Sequence, residues 1–286
     1  MKIVYLMGAG RSGTTLVTTL LGNANGIIAI GEMHQFLEYV LDNKPCSCGQ
    51  ELANCEFWAP VIKSLLAGYS REELLNYQQL SAKVESHTYI LKSLVSQHKK
   101  YTEFTQDVFN KIATIYGPIT YVDSSKYISR GLQLSKKFGA NLKLVYMVRD
   151  VRGVINSFKK NVQTSKSALG SIVYYWGINS FGLLVAMLYG KKRVFKFRYE
   201  DLIANPERTL TSLGSFLEVP LTAVQNKLTN DTPFVMPHII AGNRMRSQQQ
   251  IRLKPDLAWK NAQGRGKQIL YYLATLPLQL INKYKV

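Results

Sequence analysis

Strand-length apolar runs alternating with helical patterns constrain this chain more than any other feature. Residues 3–7 (IVYLM), 27–32 (IIAIGE), 120–125 (TYVDSS), 141–150 (NLKLVYMVRD) and 193–202 (RVFKFRYEDL) read as strands. Helical patterns cover 12–21, 131–138 and 151–160, two or three helices fill 72–115, and Asn205-Pro206-Glu207 opens another. This alternation predicts a three-layer α/β fold, a central and mainly parallel sheet flanked by helices on both faces. Such sheets bind ligands at the carboxyl ends of their strands, so function is to be sought in the loops that follow strands. No repeat, low-complexity tract or Pro/Gly/Ser linker divides the chain, and residues 1–286 are expected to form one domain.

Composition enters through charge. Thirty-six Lys and Arg against eighteen Asp and Glu give a net charge of +18. That field attracts anions over about 8 Å in physiological salt. Nucleic acid, a phosphorylated nucleotide, an acidic glycan and an anionic membrane would all answer it. The amino terminus does not read as a signal peptide, because Lys2 is followed by only five apolar residues before Gly8. A cytoplasmic location is the expectation. Residues 167–190 carry no charge, yet they hold Asn179, three serines and four glycines. A buried helix is favoured there over a transmembrane span.

The first candidate loop has two readings. Gly8, Gly10 and Gly13 spell G-x-G-x-x-G, with Glu32 placed where a ribose-binding acid belongs. Read from Gly8 to Thr15, the same residues nearly spell a P-loop, G-x-x-x-x-G-T-T. In both, glycines bring the backbone close to an anion and a helix N-terminus faces it. The Walker lysine is replaced by Thr14, and the positive charge is Arg11 inside the loop. The result is a P-loop-like cradle with no need to grip a γ-phosphate. A second loop follows 141–150, with Arg149 at the strand end and Ser157 about two turns into the next helix. A guanidinium fork and a hydroxyl suit a second phosphate. Pairing of Arg149 with Asp150 or another carboxylate fits the spacing equally well.

GAGRSGTT (8–15), GE (31–32), VDSSK (122–126) and LVYMVRDVRGVINS (144–157) resemble the sulfotransferase family, particularly its carbohydrate, tyrosylprotein and bacterial branches. HIIAGNRMR (238–246) and IRLKPDLAWK (251–260) resemble the closing segment of bacterial members. The resemblance runs in the family's order to about residue 260. It implies 3'-phosphoadenosine-5'-phosphosulfate (PAPS) as sulfuryl donor, with no metal required, since Arg and Lys supply the charge. By that resemblance, backbone amides of Gly10, Arg11, Ser12, Gly13, Thr14 and Thr15, with the two threonine hydroxyls, hold the 5'-phosphosulfate. Arg11 neutralises developing charge, Lys126 supports the leaving group, and Arg149 and Ser157 hold the 3'-phosphate. Arg246 is the candidate for a further 3'-phosphate contact, with Arg244 two residues away. Glu32 is the expected base and His34 its rival. The implied acceptor is a hydroxyl on a carbohydrate, lipid-linked or small molecule, and not nucleic acid; the helices between 60 and 115 and the loop after 160 would select it. A kinase-like P-loop phosphotransferase is the competing reading, and it lacks its lysine.

Two segments stay open. CSCGQELANCEFW (46–58) brings Cys46, Cys48 and Cys55 close in sequence. They suit three metal ligands with His34 or a distant residue as fourth, a disulfide, or three free thiols in a loop beside the substrate. The run from about 264 to 286 is apolar with basic flanks, Lys267, Lys283 and Lys285. It reads as an amphipathic helix packed on the core, with contact to a membrane surface as the second reading.

Overall fold

The computed structural model describes residues 1–159 and 166–285. Five strands form the central sheet: β1 (Lys2–Gly8), β2 (Ile27–Gly31), β3 (Thr120–Lys126), β4 (Leu142–Val148) and β5 (Val194–Arg198). Their order is β2-β3-β1-β4-β5, and every neighbouring pair is parallel. β1 lies at the centre, and its alternating side chains feed two cores. Ile3, Tyr5 and Met7 pack on one face, Val4 and Leu6 on the other. The expected α/β sheet is therefore present, with all its predicted strands.

Helix α1 (Thr14–Leu21) covers the Val4 face together with the helix Pro206–Leu217. The opposite face carries a larger helical mass. It comprises α2 (Phe36–Leu41), α3 (Trp58–Leu66), α4 (Arg71–Val84), α5 (Ile90–Val95), α6 (Lys99–Tyr116), α7 (Ile128–Phe138) and, beyond α8 (Val151–Lys159), α9 (Ala168–Arg193), while α8 packs with Tyr175 of α9, Tyr271 and Leu278 in a third core. Helix α4 starts at a capping box, in which Ser70 and Glu73 satisfy each other's backbone N–H. Asp150 caps α8 by accepting from the Arg152 N–H at 2.8 Å, so β4 ends at Val148 and not at the expected residue 150. β5 likewise stops at Arg198, because Glu200 and Asp201 open a helix at Tyr199 and Arg198 Nε binds Asp201 at 2.9 Å.

Two expectations need correction. Residues 167–190 were expected to lie in a buried helix, but α9 is buried along one side only. Tyr175, Ile178, Asn179, Gly182 and Val185 face the protein, and Tyr146 donates to Asn179 Oδ1 at 2.9 Å. Leu169, Val173, Met187 and Leu188 stand exposed. Among the described residues α9 is one helix long and apolar enough to cross a membrane by length and composition, with 33% of its apolar window buried. The carboxyl-terminal run is two short helices, Arg265–Leu273 and Leu276–Ile281, rather than one. Pro277 has no N–H to donate and is accommodated only in a first turn. Both helices pack inward through Tyr271, Tyr272 and Leu278, while Leu270, Leu273, Leu280 and Ile281 are exposed.

Candidate active site

The sheet order reverses around β1, which places the loop after β1 at the switch point where open α/β sheets bind ligands. Arg11 takes a left-handed conformation (φ 70°), and the Ser12 N–H bonds back to Ala9 O at 3.3 Å. Gly13 has φ 93°, and a Cβ there would stand 2.7 Å from the Tyr199 ring. Only glycine fits, and α1 therefore starts at Thr14 rather than at the expected Ser12. The first-turn amides of α1 have no intrahelical acceptor and share the positive end of the helix dipole. The Gly10 N–H donates to the Tyr174 hydroxyl at 2.9 Å. The buried Ser12 Oγ has no hydrogen-bond partner among the described residues.

This loop walls a cavity of about 370 Å³. Arg11, Lys126, Lys166, Arg244 and Arg246 line it, with Glu32 as the acidic residue in its wall. Lys126 ends β3 with φ 71°, just where the register between β1 and β3 shifts, and it forms an ion pair with Glu32. Two of the cavity's cations thus sit on strained backbone, as functional side chains often do. Burial lowers the Arg11 guanidinium from its ordinary range, with Arg244 and Arg149 acting in the same direction. Glu32 is buried and follows Gly31, whose φ is 82° and whose Cβ would fall 2.3 Å from Ile240 O. The Glu32 N–H donates to that same carbonyl at 2.8 Å.

His34 lies beside Glu32, its Nε2 4.0 Å from Glu32 Oε2. Burial holds its imidazole well below the ordinary histidine range, and Lys126 and Arg130 push it further down. The remaining residues of VDSSK act behind the surface. Asp123 accepts from Arg130 Nε at 3.0 Å and from the Ser125 N–H at 2.9 Å, and Ser125 Oγ accepts from the His34 N–H at 3.0 Å. That motif therefore fixes His34 as well as Lys126, a role its sequence did not reveal.

A second cavity, of about 600 Å³, shares Arg11 and Gly13 with the first and is lined by Arg149 and Ser157. Arg149 donates to Arg11 O at 2.9 Å, pairs with Asp256 Oδ2 at 3.0 Å and stacks 4.5 Å from the centre of the Tyr199 ring. Arg149 faces the cavity and has a carboxylate partner, so the pairing reading holds with a different carboxylate from the one named. That partner is Asp256, since Asp150 is taken by Arg152 at 2.7 Å.

Arg246 is not grouped with Arg149 as expected. It lines the first cavity, donates to Pro45 O at 3.1 Å and lies 5.6 Å from the centre of the Tyr39 ring. The cause is the tight turn Arg244–Ser247, where Asn243 Oδ1 accepts from the Met245 N–H at 2.8 Å. The turn sends Arg244 and Arg246 to one cavity and Met245 to the other. In place of Arg246, the second cavity has Arg252 and Lys254. Gln248, Gln250, Arg252, Lys254 and Asp256 all line it, which is the period of two of an extended segment. The alternation of Arg252, Lys254 and Asp256 was visible in IRLKPD and could have singled out those three.

With this geometry in hand, comparison with known proteins decides the family. Residues 4–223 match the model described as the sulfotransferase family. The chain belongs to the sulfotransferase family. Among solved structures it is similar to the sulfotransferase domain of the Synechococcus PCC 7002 olefin synthase (19% identity, TM-score 0.59, covering 99% of this chain and 95% of that one). It is also similar to the sulfotransferase domain of the curacin biosynthetic pathway (17% identity, TM-score 0.55, covering 100% and 98%). A third similar structure is a sulfotransferase from Mycobacterium avium (11% identity, TM-score 0.56, covering 100% and 78%). At these identities the likeness shows the fold. No curated protein matched the sequence.

This sulfotransferase has a third cavity, of about 590 Å³, beside the first. His34, Gln35, His87 and Tyr127 line both. Its depth is apolar, with Met33, Phe36, Leu37, Phe104, Val108 and Phe109, while Gln78, Glu85 and Arg130 add polar groups. The walls come from α4 and α6, which belong to the helices between 60 and 115 expected to select the acceptor, and from α2, which lies before that region. The segment 160–165, the other part of that expectation, lies outside the described residues.

Proposed function

We propose that this sulfotransferase moves a sulfuryl group from PAPS to a hydroxyl on an acceptor with a substantial apolar body, lipid-linked or otherwise amphiphilic. One observation carries the donor reading: two cation-lined cavities joined at Arg11 and Gly13. PAPS supplies an activated sulfuryl group and two anionic groups at separate ends of one nucleotide. The loop from Gly10 to Thr15 would hold the 5' end, and the unpartnered Ser12 Oγ fits a site that takes an oxygen-rich group. Arg149 and Ser157 would hold the 3'-phosphate, with Arg252 and Lys254 beside them. Thr14 in place of a Walker lysine suits a donor without a γ-phosphate.

In this reading Arg11 and Lys126 stabilise the charge that gathers on the leaving group, as preorganised cations do in phosphoryl transfer. Glu32 takes the acceptor's proton. A proton placed on His34 would be opposed by burial and by Lys126 and Arg130, which counts against it as the base. The acceptor would enter through the cavity of Phe36, Phe104 and Phe109 and present its hydroxyl past His34 and Tyr127.

Calorimetry with 3'-phosphoadenosine-5'-phosphate and with ATP·Mg²⁺ tests the donor. Binding of the bisphosphate and not of ATP is expected; the reverse would end the proposal. Glu32→Gln should cut turnover by about 10²–10⁴-fold with bisphosphate affinity nearly intact. Normal turnover in Glu32→Gln together with its loss in His34→Ala would move the base to His34.

A further inference from the structure

The cysteine segment plays no part in the catalytic reading, yet its three thiols converge on a residue far along the chain. Cys48 Sγ lies 3.8 Å from Cys55 Sγ. His238 Nδ1 is 3.2 Å from Cys55 Sγ and 3.9 Å from Cys46 Sγ. All four atoms fall within 4.8 Å of one another. A tetrahedral zinc ion, with Zn–S of about 2.3 Å and Zn–N of about 2.0 Å, holds its ligand atoms about 3.5–3.8 Å apart. A disulfide requires its sulfurs about 2.05 Å apart and would leave the third thiol and the imidazole unexplained. We propose that Cys46, Cys48, Cys55 and His238 form a structural Cys₃His zinc site.

The surroundings match that assignment. His238 Nε2 faces Glu56 Oε1 at 3.1 Å, the carboxylate–histidine arrangement that orients a ligating imidazole through its other nitrogen. Four protein ligands leave no open position for substrate, so the ion holds structure and takes no part in sulfuryl transfer. Binding converts three thiols to thiolates and releases their three protons for each Zn²⁺ taken up.

What the ion would hold is specific. The loop around Cys46 already grips the segment at His238, with Ser47 donating to Pro237 O at 2.6 Å and Trp58 Nε1 to His238 O at 2.8 Å. Two residues on, Ile240 bonds both Ile30 and Glu32, and the chain then enters the turn bearing Arg244 and Arg246. The metal would fasten the segment that supplies the cavity's arginines and braces its carboxylate.

Metal analysis of the full chain, purified under reducing conditions without chelator, tests this directly. About one zinc per chain is expected, with tetrahedral thiolate–cobalt absorption after exchange for Co²⁺. Cys48→Ser should lose the metal, and Glu56→Gln should weaken zinc affinity by about 10–100-fold. Chelation of the wild-type protein should lower its Tm. A protein that carries no zinc and takes up neither Zn²⁺ nor Co²⁺ would overturn the site. So would stoichiometric iron, or a native disulfide between any two of the three cysteines. The wild-type measurement decides even where a variant fails to fold.

Discussion

At the scale of single residues, the site depends on side chains held by partners they would share with ligand. Arg149 is fixed by a carbonyl, a carboxylate and an aromatic face at once, which a lysine cannot reproduce. Arg149→Lys should weaken bisphosphate binding by about 1.5–3 kcal/mol, roughly 10–150-fold, measured by calorimetry. His34 gives a pH prediction whose sign follows from its depressed pKa. The unfolded chain takes up a proton near pH 6.5, whereas the folded chain does so only at lower pH. Stability is therefore fully present above about pH 6.5 and is lost as pH falls through that window, by at most about 1.4 kcal/mol per pH unit for this residue. His87, lowered in the same direction by burial and Lys166, adds to the slope. Urea denaturation across pH 5–7 should show a shallower acid-side loss in His34→Gln than in the wild type, with the His87 share remaining.

At the scale of elements, the crossing of β2 by the segment at Ile240 is the tightest joint beside the site. Gly31→Ala puts a methyl group against the Ile240 backbone at a left-handed position. It should cost about 2–4 kcal/mol in urea denaturation and depress turnover, because Glu32 is the next residue. The elements were largely legible beforehand. Five apolar runs announced five strands, since strands buried on both faces have little room for polar residues. What escaped notice depended on contacts distant in sequence. Arg246 was grouped with Arg149, whereas a short turn capped by Asn243 directs it to the other cavity. Asp256 as partner of Arg149, and His238 as neighbour of the cysteines, lie 107 and 183 residues from those partners, beyond any local pattern. The outer face of α9 was misread because an uncharged run looks alike whether one side is buried or all of it.

At the scale of the whole molecule, charge sets how ligands arrive. A net charge of +18 creates a long-range field, and the candidate donor is a polyanion. Between about 0.01 and 1 M ionic strength the Debye length shrinks from about 30 Å to about 3 Å. The KM for the donor should therefore climb steeply with added salt while kcat stays nearly constant. A kcat that falls in parallel would show that salt disturbs the chemistry and not the approach.

The phenol of Tyr174 on the Gly10 amide carries one more consequence. The cradle keeps its shape at rest because a side chain from α9 stands in for an anion at that amide. In the proposed donor site, loading would be a swap, in which a phosphate oxygen gains the amide only as the tyrosine gives it up. Swaps of this kind cost little net heat and reverse readily, which suits a site that must release a spent nucleotide after every turnover. Tyr174→Phe would remove the stand-in, and the nucleotide should then bind with more favourable enthalpy and leave more slowly.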